Sequence, residues 1–136
     1  MKTVFNKQTV LVAGLLAIFG MTVTSIAPAL MADDTEQVFI EGFPDVPLLA
    51  GLQERIEDRV VFDAPSGTVA ETVIRSNKPG SLVIDEYAKE LVVFGWVCAR
   101  QAMNMRCTRE KSALVFLNKT PAKKTGIIML RLQPLG

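Results

Sequence analysis

The sequence predicts an α+β domain in which one helix packs across an antiparallel sheet, with strand order β-β-α-β-β-β. Three observations point there. Short apolar stretches bounded by glycine, proline and asparagine recur on both sides of one amphipathic segment. That segment, 81–94, is the only one with sustained helical spacing. Hydrophobic residues make up 49% of the 136 and charged residues 21%, so a packed core is affordable and a disordered chain is not expected.

Residues 1–32 read as a signal peptide. Lys2 and Lys7 supply a positive start, an apolar run covers 10–21, and Ala27-Pro28-Ala29 and Ala32 supply small residues for a cut. The competing reading is an uncleaved membrane anchor, but 10–26 is at the lower limit for a spanning helix and is diluted by Gly14 and Gly20. No cysteine lies near the cut, which excludes a lipid-modified N-terminus.

Residues 33–58 form an extended N-terminal segment. Pro44 and Pro47 punctuate its apolar stretch, and proline cannot donate to a central ladder, so this chain should lie over the body and hide an edge. The α+β domain is expected over 59–136. Residues 59–63 and 68–75 form a hairpin around Ala64-Pro65-Ser66-Gly67. Asn77-Lys78-Pro79-Gly80 then breaks the chain, and Ser81 is expected to cap the helix. Ile84, Tyr87, Ala88 and Leu91 share its apolar face, with Asp85 and Lys89 as an i,i+4 pair on the other. Gly95 fits the left-handed position that ends a helix, and Trp96 folds back onto Leu91. Trp96, Leu91, Tyr87, Phe116 and Leu130 should share one core. Residues 96–100 and 105–109 flank a short connection; 113–118 and 126–132 are further extended stretches.

Cys98 and Cys107 both lie in the exported part and are expected to form a disulfide. If Gln101-Ala102-Met103-Asn104 is the hairpin loop, paired residue numbers sum to 205 and the two cysteines face each other. They form no C-x-x-C pair, and thiol redox work would require both to be reduced and exposed.

Gly42-Phe43-Pro44-Asp45-Val46-Pro47-Leu48 with Gly51-Leu52, then Val60-Val61-Phe62-Asp63-Ala64-Pro65-Ser66-Gly67, then a helix ending Phe94-Gly95-Trp96, resembles a group of small exported, periplasmic proteins of proteobacteria. The resemblance spans nearly all of the chain after residue 32. It implies fold and compartment, periplasmic or secreted, and carries no catalytic residues.

The chain contains no histidine, which removes histidine-based triads, the usual general base and the commonest metal ligand. Carboxylates cluster at Asp33-Asp34, at Glu54, Glu57 and Asp58, and at Glu86 and Glu90, all expected to be solvated and ionised. There is no G-x-S-x-G, S-x-x-K, G-x-G-x-x-G or phosphate-loop pattern. No catalytic residue, cofactor or metal is therefore expected.

Charge is uneven. Residues 33–84 hold ten acids and four bases, a balance of −6; residues 85–136 hold four acids and nine bases, a balance of +5. Arg100, Arg106, Arg109, Lys111, Lys119, Lys123 and Lys124 are the candidate surface for an anionic partner, an envelope protein or an anionic envelope surface. The alternative is that the two halves pack together and cancel. Nucleic acid fits poorly with an exported chain of net charge +1. The expected function is a non-catalytic domain acting through protein surfaces, as an accessory to an envelope assembly. The alternative is a small ligand-binding domain or enzyme with a pocket between helix and sheet.

Overall fold

The computed structural model describes residues 36–136, and Glu36–Gly136 forms one compact unit. The expected signal peptide, Asp33 and Asp34 lie outside the described residues. Among the described residues, no helix is long and apolar enough to cross a membrane.

The chain runs β1 (Gln53–Glu54), a single 3-10 turn (Ile56–Asp58), β2 (Val60–Ala64), β3 (Gly67–Ser76), α1 (Gly80–Val93), β4 (Val97–Gln101), β5 (Asn104–Arg109), β6 (Ser112–Asn118) and β7 (Gly126–Pro134). All pairs are antiparallel in one seven-stranded sheet, ordered β1-β3-β7-β6-β5-β4. β2 lies beside β1 along the same edge of β3. Among the described residues, the α+β class with one helix stands, but the order β-β-α-β-β-β is corrected to β-β-β-α-β-β-β-β. The four extended stretches after the helix are four separate strands. The extra strand before it, β1, is two polar residues long and has no alternation to betray it.

Alternation sets the two faces. Ala70, Thr72, Ile74 and Ser76 of β3 and Ile128, Leu130 and Leu132 of β7 point to the covered face with Phe116, Leu114, Cys107 and Met105. The helix lays Val83, Ile84, Tyr87 and Leu91 against them, and Trp96 completes the cluster. The segment before β1 covers what the helix does not: Ile40, Phe43, Val46 and Leu52 are buried in the same core. It turns back on itself, with Ile40 N–H donating to Val46 C=O at 2.9 Å and Leu48 N–H to Val38 C=O at 2.8 Å. Tyr87 ties it down by donating its hydroxyl to Pro47 C=O at 2.8 Å. Among the described residues, nothing covers the opposite sheet face. It presents Val69, Val73, Val115, Leu117, Ile127 and Met129, all half-buried, around the Glu71–Arg131 ion pair at 2.9 Å.

Both helix ends have local causes. The expected Ser81 cap is replaced: Pro79 is the cap residue, without a side-chain bond, and its carbonyl accepts from Leu82 and Val83. Proline is extended there, and the first helical residue is Gly80, where a Cβ would sit 2.5 Å from the Asn118 carboxamide oxygen. At the other end Gly95 has φ +86°. Its N–H donates to Val92 C=O, and Trp96 N–H donates to Leu91 C=O, both at 3.1 Å. This is the closed glycine ending that brings the residue after glycine onto the last turn. Asp85 does not pair with Lys89; it pairs with Arg100 at 3.0 Å across to β4.

Candidate functional site

The hairpin β4–β5 turns at Ala102-Met103, with Gln101 opposite Asn104 and Cys98 opposite Cys107. The disulfide Cys98–Cys107 is present, and the two Cα atoms are 3.9 Å apart. So close a pair occupies a non-hydrogen-bonded position, where backbone groups point away from the partner strand. The N–H and C=O of Cys98, and by period those of Arg100, therefore face outward from β4. Among the described residues no strand pairs with that edge. Its outer-face side chains, Val97, Ala99 and Gln101, are uncharged and exposed.

A second feature lies at the far end of the sheet. A cavity of about 330 Å³ opens where three segments meet: Gly51 and Gln53, then Arg75, Ser76 and Asn77, then Thr125 with the start of β7. The helix–sheet interface, where the alternative reading places a pocket, is instead filled by Tyr87, Phe116, Leu91 and Trp96. The cavity walls are held by hydrogen bonds. Ile127 N–H donates to Thr120 Oγ1 at 2.9 Å, and that hydroxyl donates to Thr125 C=O at 3.1 Å. Asn118 Oδ1 accepts from Thr120 N–H at 3.1 Å, and Lys119 N–H donates to Ile127 C=O at 2.8 Å.

The seven basic candidates do not form one surface. Arg100 is paired with Asp85. Arg109 pairs with Asp45 at 2.9 Å, donates to Phe94 C=O at 2.8 Å and lies over the Trp96 ring at 4.7 Å, so it is a brace between β5, the helix end and the N-terminal segment. Arg106 is on the uncovered sheet face. Lys111 sits in the β5–β6 turn, at the opposite end of β6 from Lys119, Lys123 and Lys124. Those three lie in the β6–β7 connection, beside the cavity. Arg75 joins them there, and none of these four has a carboxylate within ion-pair distance among the described residues. The halves cancel in part: Arg109–Asp45 and Arg131–Glu71 join bases of the basic half to acids of the acidic one.

One carboxylate departs from the solvated picture. Glu54 leaves only 8% of its side chain exposed, accepts from Thr72 Oγ1 at 2.8 Å and pairs with Arg59 at 3.3 Å. β1 carries it onto the covered face, where pairing keeps the buried charge tolerable. Among the described residues, Tyr87 is the group with a strongly displaced proton affinity: burial pushes its phenol far above the ordinary value, with Glu54 and Glu86 adding to the rise. Its hydroxyl is engaged with Pro47 C=O, so its role is structural.

Arg75, Asn77, Gln53 and Thr125 were not singled out from sequence. Each belongs to a different short turn or strand end, and no motif links them. The chain matches no family model, no curated protein and no solved structure.

Proposed function

We propose that the protein is an exported, non-catalytic domain that acts through protein surfaces, as an accessory to an envelope assembly. The observation that carries this is the free β4 edge. A strand with unpaired outward N–H and C=O groups, pinned by a disulfide and bearing uncharged outer side chains, suits the addition of a partner's extended strand. The disulfide fits an oxidising compartment. The order of residues in 1–32 and the resemblance to exported proteobacterial proteins support a periplasmic or secreted location, with cleavage between Ala27 and Asp33.

A photo-crosslinker at Ala99 tests the reading, with one at Lys111 as control. The expected result is a single heavier adduct from position 99 in cells exporting the protein. Arg100→Pro should abolish it, because proline removes an outward donor and leaves the β4–β5 ladder intact, while Arg100→Gln controls for the ion pair to Asp85 that both changes remove. Arg100→Gln should retain it. No adduct, an adduct indifferent to Arg100→Pro, or an adduct of two identical chains would overturn the proposal. Intact mass of the unlinked protein reads the cut; a full-length, membrane-extracted species would refute release.

A further inference from the structure

We infer that the cavity bounded by Gln53, Arg75, Asn77 and Thr125 is a binding site for a phosphate group, carried by a soluble ester or by a lipid headgroup. The inference is independent of the β4 edge, which lies on another side of the sheet.

The chemistry of the walls selects the ligand. Among the lining residues, Arg75 carries a guanidinium, Gln53 and Asn77 carboxamides, and Thr125 and Ser76 hydroxyls. Ser76 Oγ already accepts from Lys78 N–H at 2.9 Å, which leaves its proton free to donate. No carboxylate lines the cavity, so nothing there competes for the guanidinium or repels an anion. A guanidinium fork with surrounding neutral donors matches a tetrahedral oxyanion, whose several oxygens accept from several directions.

The site is also rigid. Gly126 forms one wall and is pressed so closely on the helix start that a Cβ there would lie 2.9 Å from the Gly80 backbone. Gly126 pairs with Ser76 across β3–β7, and the Thr120 hydroxyl holds Thr125 and Ile127 from the other side. Such preorganisation lowers the ordering cost of binding. Lys119, Lys123 and Lys124 on the adjoining connection raise the local positive potential without lining the cavity, which favours capture of an anion from solution or from a charged surface. A volume of about 330 Å³ admits a phosphate with a small polar remainder and lies at the low end of ligand pockets.

The test is an amide chemical-shift titration of the exported protein with two probes: glycerol 3-phosphate, and vesicles of phosphatidylglycerol in phosphatidylcholine. Pure phosphatidylcholine vesicles are the blank. Saturable shifts at Asn77, Thr125 and Gly126 are expected, weakened about tenfold or more by Arg75→Gln, the scale of a lost hydrogen bond to a charged group. Lys111→Gln, at the other end of β6, should leave them unchanged. A response to glycerol 3-phosphate identifies a soluble ester; an Arg75-dependent response confined to the anionic vesicles identifies a headgroup. Silence with both probes overturns the site. So does binding that Arg75→Gln leaves intact, or that Lys111→Gln weakens equally, since either would reduce it to bulk charge attraction.

Discussion

Replacing both Cys98 and Cys107 by alanine isolates the disulfide without burying a hydroxyl. The two lie nine positions apart in the sequence. The loop-closure relation for a cross-link of that span gives about 2.6 kcal/mol of stabilisation, through restriction of the unfolded chain. Cys107 is fully buried beneath the helix, so loss of its sulfur adds a small packing cost of the same sign. With a urea slope typical of a domain this size, the midpoint should fall by about 1–2 M. Reversible urea unfolding, followed by Trp96 fluorescence and far-ultraviolet dichroism, measures it. Native-state hydrogen exchange supplies the second reading: amides of β4 should lose more protection than those of β7, because the bond joins the edge strand to β5 only. A loss below about 1 kcal/mol would refute the reasoning, since it would mean that the hairpin is already closed in the unfolded ensemble.

Trp96→Ala should cost about 3–5 kcal/mol, the range for deleting a large buried aromatic, measured as a urea midpoint shift; Trp96 is 2% exposed and shares the core with Leu91, Tyr87, Phe116 and Leu130. A cost under about 1 kcal/mol would contradict the burial argument. Tyr87 makes stability pH-dependent on the alkaline side. Its folded-state pKa lies above its unfolded value of 10.0, so the unfolded chain loses the proton first. The contribution is fully present below that value and is lost as pH rises above it, at up to about 1.4 kcal/mol per pH unit. Tyr87→Phe should flatten that loss between its own and wild-type alkaline unfolding curves, at the expense of about 1–3 kcal/mol at neutral pH from the orphaned Pro47 carbonyl.

What could be read from the sequence was what short-range geometry decides. Once a hairpin loop is placed at Gln101-Ala102-Met103-Asn104, counting outward sets Cys98 opposite Cys107; the structure keeps that register and tightens the turn by pairing Gln101 with Asn104. Gly95 marked the helix end because few other residues adopt φ near +86°. Ile84, Tyr87 and Leu91 declared their face by spacing. Other features depended on partners distant in the chain. Glu54 looked solvated because nothing local shows that Thr72, eighteen residues on, receives it. Ser81 lost its capping role because the helix starts one residue earlier, at Gly80, with Pro79 as its cap residue. The Arg75 cavity takes its walls from segments near 52, 76 and 126, and only the β3–β7 pairing brings the last two together.

That same pairing governs when the fold can form. β7 is the last strand along the described chain, yet it occupies the middle of the sheet, between β3 and β6. Ser76 meets Gly126 and Ala70 meets Leu132, contacts that close loops of many tens of residues. Until β7 arrives, β1 to β3 and β4 to β6 are two ribbons with no common ladder, each exposing an unpaired edge. Closing such long loops is slow, and a chain lacking β7 has no route to the native core. A chain passing through a translocation channel from its N-terminus would thus stay loose until residues 126–134 had emerged. Folding itself would then act as the ratchet that prevents the threaded chain from sliding back.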